Sequence, residues 1–328
     1  MRQCSYNRDG VYASFIVERE RKLSAKVRNR RSTMSDRRRF LRQAALLGAA
    51  AGLQPLLGCA RNPPLSQSAG RMVTGSARGD APAPTLPPAP PLISATQLTR
   101  RPAAERGGYN HDWLHTQHSF SFGRYQDPKH MSFRALRVLN EDRVKPGQGF
   151  RMHGHRDMEI ITWVLSGELK HRDSLGNGSI IRPGDAQRMS AGTGIRHSEF
   201  EPSGNAPVHF LQIWLLPDQR GHTPGYQQQR LATPSEAVST QVIASGAGAG
   251  GSIRMHQDAR LSVTRVKKGQ STTLLVPAAR HAWLQVARGA VIVNGVRCDQ
   301  GDGLATSASG LLKIMATADA EGLHFDLA

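Results

Sequence analysis

The chain has 328 residues, 38% of them hydrophobic, and a formal net charge of +18. That length suits two modest domains plus tails. Residues 1–42 alone hold 13 Lys/Arg against 4 Asp/Glu, so half of the positive excess sits in the leader and a nucleic-acid role is not expected. Three widely spaced cysteines (Cys4, Cys59 and Cys298) show no CxxC, which excludes a thiolate zinc site or a disulfide framework.

Asp36-Arg37-Arg38-Arg39-Phe40-Leu41-Arg42 precedes the apolar stretch 44–58. A paired arginine, Phe-Leu and a weakly hydrophobic run resemble a twin-arginine export signal, and the run is too short to span a bilayer that needs about 20 residues. Met34 just before the motif is the expected true start, which makes 1–33 a non-native extension and 34–59 the signal peptide. Leu56-Leu57-Gly58-Cys59 resembles a lipoprotein box with Cys59 as the acylated residue. The expected location is therefore periplasmic or membrane-anchored, with membrane contact only through the signal or the lipid. Residues 60–93, rich in Pro, Gly, Ala and Ser, read as a tether.

From 94 onward, short runs of β-branched and aromatic residues alternate with turn signals. They include 133–139, 158–165, 169–174, 178–185, 209–216, 273–277, 282–289 and 290–296, with tight turns at Leu175-Gly176-Asn177-Gly178, Pro183-Gly184-Asp185 and Asn294-Gly295. No long amphipathic helical run and no βαβ alternation interrupts them. The pattern predicts an all-β sandwich or barrel. A weak repeat between 163–185 and 284–303 suggests two tandem barrels, at 94–230 and 231–328, with a loop-like join inside 217–250.

His153 and His155 are spaced i, i+2, as are His197 and Glu199. Side chains at that spacing share one face of a strand. Two neighbouring strands can therefore converge three imidazoles and a carboxylate on one cation. Such a donor set suits iron, copper, zinc, manganese or nickel better than calcium or magnesium. Glu159 has the same parity as His153 and His155 and competes for the carboxylate role. His118 is a weaker candidate for the site. Phe150, Met152, Trp163 and Met189 are candidate pocket walls. The second half offers His256, His281 and His324 without HxH spacing, and its barrel is expected to be metal-free.

Gly147-x5-His153-x-His155-x3-Glu159-x7-Gly167 resembles the first cupin motif, and Pro183-Gly184-Asp185 the turn of the second. Segments 110–128, 184–200, 211–217 and the HGHRDMEI run are similar to the pirin family, particularly to its bacterial quercetin-dioxygenase-like members. The resemblance covers about 96–328 and implies two tandem cupin barrels. It further implies metal ligands His153, His155, His197 and Glu199, the last also the catalytic group. One divalent transition metal is expected, Fe(II) first, with Cu, Zn, Ni or Mn as alternatives. The implied enzyme is a dioxygenase that cleaves quercetin-like flavonols with O2 as a monomer. The alternative is a non-catalytic, redox-sensing metal protein of the pirin type.

Overall fold

The computed structural model describes residues 88–328. The export motif, Cys59 and the tether as far as residue 87 lie outside them. Among the described residues, the helical segments are three short 3-10 turns, at Ala95–Gln97, Ala103–Glu105 and Ala249–Gly251. Everything else regular is strand.

β1 (Thr99–Arg101) is followed by β2 (Gly107–Asn110), β3 (Leu114–His118), β4 (Leu136–Val144), β5 (Gly149–His155) and β6 (Glu159–Ser166). Next come β7 (Leu169–Asp173), β8 (Gly178–Ile181), β9 (Asp185–Ser190), β10 (Ile195–Phe200), β11 (Val208–Leu215) and β12 (Gly225–Arg230). The second half holds β13 (Val238–Ser245), β14 (Ile253–Arg254), β15 (Ala259–Val266), β16 (Ser271–Val276) and β17 (His281–Arg288). It ends with β18 (Ala290–Val293), β19 (Val296–Asp299), β20 (Gly303–Thr306), β21 (Gly310–Ala316) and β22 (Ala320–Leu327).

Each half pairs a seven-stranded sheet with a four-stranded one. The first barrel has the orders β12-β9-β6-β11-β4-β3-β2 and β5-β10-β7-β8, the second β1-β20-β17-β22-β15-β13-β14 and β16-β21-β18-β19. Two tandem cupin-type barrels thus make up an all-β fold. Asn294-Gly295 joins β18 to β19 with both residues at positive φ (47° and 87°), as a two-residue type I′ hairpin requires.

The two large sheets pack back to back. β6 is buried along nearly its whole length because both of its faces are covered. One face turns Ile161, Trp163 and Leu165 toward Leu261, Val263 and Phe325 of the second barrel. The other adds Val164 to the first barrel's core with Leu114, Leu169, Ile181 and Phe210. The second barrel is filled by Leu284, Val286, Val291, Leu312, Ile314 and their neighbours. The order of layers is therefore small sheet, large sheet, large sheet, small sheet.

Three features differ from the sequence reading. First, β1 falls within 94–230 yet extends the second barrel's large sheet, pairing Thr99 with Ala305 and Arg101 with Gly303. Second, the tether does not run free to residue 93. Ile93 donates to the Leu311 carbonyl (3.0 Å), Leu311 donates back to Pro91 (2.8 Å), and the Ile93 side chain joins the second core. Third, Gly225–Arg230, read as loop, is an edge strand along β9. Its polar YQQQR run lacks the alternation that marks a half-buried strand.

Asp302 fastens β1 to its host sheet. Its buried carboxylate accepts the Arg100 guanidinium (2.9 Å), the Ala103 N–H (2.7 Å) and the Asp299 N–H (2.8 Å). Asp302→Ala leaves these donors unmatched and is expected to lower the unfolding free energy by about 2–3 kcal/mol, read as a lower urea midpoint.

Candidate metal centre

The site is built on the first barrel's small sheet, whose inner face looks onto the large sheet. β10 lies between β5 and β7. His197 sits opposite His153 on one side and Asp173 on the other, while Glu199 sits opposite His171. Between His197 and Glu199 the register slips, so Glu199 faces Phe150 and β5 carries one extra residue. Such a bulge re-aims side chains locally. It brings Phe150 to the same side as His153, with ring centroids 6.5 Å apart.

The rings of His153, His155 and His197 cluster, with centroids 4.4–4.9 Å apart. Their donor atoms form one group in which all lie within 4.8 Å of one another. His171, His197 and Glu199 form a second such group. His197 belongs to both. The four residues singled out from the sequence are thus spread over two overlapping triads, and His171 joins them.

Burial sets the charge state of these groups. It lowers His155 to about 3, with the neighbouring His153 adding to the effect, and lowers His153 itself. Burial and the crowd of imidazoles hold His197 well below the ordinary histidine value. All three are therefore neutral at physiological pH, with lone pairs available. His153 donates Nδ1–H to the Arg151 carbonyl (2.7 Å), which leaves Nε2 as its donor atom.

Glu199 is fully buried, and burial raises its carboxyl to about 7; the Gln212 amide opposes the rise and the Asp142 charge adds to it. Burial lifts Asp142 to about 7 as well. Gln212 Nε2 donates to Glu199 (3.0 Å), and the Thr162 hydroxyl donates to Gln212 Oε1 (2.8 Å), fixing the orientation of the amide. Thr162 and Gln212 face each other across β6 and β11, so the large sheet holds the carboxylate that the small sheet carries.

His171 was missed because LKHRDS reads as an ordinary polar strand. The signal was its i, i+2 spacing from Asp173, the spacing of the other two pairs. His171 Nε2 is 3.2 Å from Asp173, and its ring stacks on Tyr226 at 4.7 Å. Asp173 also accepts the Leu175 and Asn177 N–H groups (2.9 and 3.0 Å).

Trp214 packs edge-on against His155 (4.8 Å), and Phe122 packs against Trp214 (5.4 Å). These two rings wall the site. Of the walls expected from sequence, Phe150 touches His153 and Trp113, and Met189 is buried with Ile160, Ala191 and Ile195. Met152 is exposed, and Trp163 points the other way, donating its indole N–H to Glu321 of the second barrel (2.9 Å). His118 is buried behind Phe122, bonded to Asn140 (2.7 Å) and lowered by burial to about 4.

Glu159 also points away. The parity that linked it to His153 and His155 assumes one continuous strand. The chain instead leaves β5 after His155 and turns at Asp157 (φ 50°) before crossing to the large sheet. Glu159 accepts the Ser190 hydroxyl (2.9 Å) and the backbone N–H of His256 (3.2 Å), on the face that meets the second barrel.

The donors fit a transition metal. His197 is 1% exposed and neither of its ring nitrogens has a hydrogen-bond partner; His171 Nδ1 is likewise unpartnered. Buried polar atoms are almost always satisfied. A bound cation would satisfy these, and imidazole nitrogens with a carboxylate oxygen suit mid-series divalent metals.

Two cupin-type barrels in one chain, the first with a histidine–carboxylate cluster inside, define a bicupin. Residues 99–215 match the family model described as Pirin, and 242–327 match the quercetinase C-terminal cupin domain. The chain belongs to the pirin family. It is 45% identical over 228 residues to quercetin 2,3-dioxygenase of Escherichia coli (strain K12), covering 69% of this chain and 97% of that protein. It is similar to the crystal structure of the bacterial pirin YhhW from Escherichia coli in complex with nickel(II), with TM-score 0.67 and 44% identity over 70% of this chain and 98% of that one. Quercetin 2,3-dioxygenase from Acinetobacter baumannii shares the fold, with TM-score 0.60 and 23% identity over 73% and 87% of the two chains.

The two acidic candidates separate experimentally. Glu159→Ala leaves the His256 backbone N–H unmatched in the seam between the barrels and removes the carboxylate beside Ser190 and Arg188. It is expected to destabilise the protein by about 2–3 kcal/mol in urea unfolding while the imidazole 15N resonances of His153, His155 and His197 stay in place.

Proposed function

We propose that the first barrel binds one divalent transition metal through His153, His155, His197 and Glu199, and that the protein is a dioxygenase opening a quercetin-like flavonol with O2. The observation that carries this reading is His197, buried among two other imidazoles with both nitrogens unbonded. The 45% identity to a protein named quercetin 2,3-dioxygenase supports the substrate class. Fe(II) is the metal we favour; nickel, copper, zinc and manganese suit the same donors. Bound there, the metal would supply Lewis acidity that eases ionisation of a coordinated substrate hydroxyl, and a contact for O2.

The residues supply the rest. The three neutral imidazoles donate lone pairs without first losing protons. Glu199 is the carboxylate placed to take up the hydroxyl proton. Gln212 and Thr162 keep its carboxylate aimed. Trp214 and Phe122 give a flat aromatic substrate an apolar surface and keep water off the reacting groups. His171 sets a further nitrogen beside Glu199.

Oxygen uptake with quercetin and Fe(II) tests the proposal. The wild-type protein is expected to consume O2 and His155→Ala to lose uptake to background. No turnover with any of the five metals would reject the enzyme and leave the redox-sensing reading. Metal binding itself carries a proton signature. At pH 6 His155 and His197 are already neutral while Glu199 is mostly protonated, so binding through its carboxylate expels that proton. Calorimetry in buffers of different ionisation enthalpy is expected to show about one proton released at pH 6, falling toward zero by pH 8, with affinity weakening as pH drops below 7.

A further inference from the structure

The outer face of the second barrel's small sheet carries Leu275, Leu311, Ile292 and Met315 among Ser271, Thr273, Lys313 and Arg297, more apolar surface than an exposed antiparallel face ordinarily shows. β16 buries Leu274 and Val276 and turns Leu275 outward; β21 buries Leu312 and Ile314 and turns Leu311, Lys313 and Met315 outward. Leu275 lies opposite Leu311, and Leu92 bridges to Leu311 from the other side. These three form one row across the sheet. Met315 lies opposite Ile292, which begins a second row ending at Arg297. Leu92, Leu275 and Met315 are 56%, 51% and 41% exposed. Lys313 stands between the rows, and Lys267 and Lys268 occupy the turn before β16. The neighbouring acids are already paired, Asp299 with Arg297 (2.8 Å) and Asp319 with Lys267 (2.8 Å).

The chain itself enters the fold on this patch. Pro91 and Ile93 hydrogen-bond to β21, and residues 60–90 connect them to Cys59, read above as lipid-modified. A Pro/Gly/Ala/Ser segment of that length has a root-mean-square reach of about 30 Å. An acyl group on Cys59 would thus hold the patch close to a bilayer at high effective concentration. With Arg297 and Lys267 held by Asp299 and Asp319, Lys268 and Lys313 leave the patch a net positive fringe, the sign an anionic headgroup layer attracts.

We propose that this face lies on a phospholipid surface. The patch and the metal-centre sheet are the two outer layers of the four-sheet stack. Docking here therefore holds the candidate metal centre roughly 30 Å above the lipid, three sheet spacings of about 10 Å.

The test compares the full chain with its Leu92→Ser/Leu275→Ser/Met315→Ser variant on vesicles of phosphatidylethanolamine and phosphatidylglycerol at 3:1. The leader and Cys59 are common to both, so the difference reports the patch alone. The variant is expected to partition at least five-fold less, with an unchanged melting temperature. Lys313→Glu, a single charge change on the surface, is expected to weaken partition in the same direction and to abolish its salt dependence in part. In acetylation footprinting, vesicles should protect Lys313 several-fold and leave Lys145 of the first barrel unchanged. Equal partition of the full chain and the triple variant would overturn the proposal. So would equal protection of Lys313 and Lys145, or protection of Lys313 by raised protein concentration without vesicles, which would assign the face to a second copy of the chain. If Cys59 proves unacylated by mass spectrometry while the patch still binds vesicles, the docking face stands and only the anchor falls.

Discussion

The arrangement turns on one imidazole. His197 occupies an inner strand of a small sheet, with histidines on both neighbouring strands and no protein hydrogen-bond partner at either ring nitrogen. Leaving a buried polar atom unpaired costs about 1–3 kcal/mol. Two such atoms on one buried ring are what a bound cation at that position would satisfy. The surrounding choices are consistent with this. The neighbouring imidazoles are kept neutral, and the carboxylate is steadied from the opposite sheet rather than by a counter-charge.

The rest of the molecule supplies rigidity. β6 and β11 each serve two cores, one inside the first barrel and one between the barrels. Thr162 and Gln212, which set Glu199, therefore sit on strands that cannot shift without disturbing both. The second barrel holds apolar side chains where the first holds histidines. Its large sheet backs the first barrel, so the metal-centre barrel has a solid wall on the side away from its cluster.

Much of this was legible in the sequence, for physical reasons. The HxH and HxE pairs were readable because strand parity is strict over two residues. Asn294-Gly295 announced its hairpin because few other dipeptides accept two positive φ values in succession. The remaining features needed information that parity does not carry. Glu159 kept the right spacing but lay beyond a turn that moved the chain to another sheet. His171 was hidden because its flanking Lys170 and Arg172 gave the strand a solvent-facing look. YQQQR could not be recognised as a strand, since its stability comes from pairing with β9 and not from its own apolar pattern. Nor could any local rule place Thr99–Arg101 in a sheet formed some two hundred residues later.

That long-range pairing has a temporal consequence. A ribosome extends a chain at roughly 5–20 residues per second. With Arg100 and Asp302 separated by 202 positions, β1 emerges roughly 10–40 seconds before its partner strand exists. During that interval the first barrel can close around its histidines, but the segment leading into it must wait. Until β20 is made, β1 has no place in a sheet, and their pairing joins the beginning of the fold to its end.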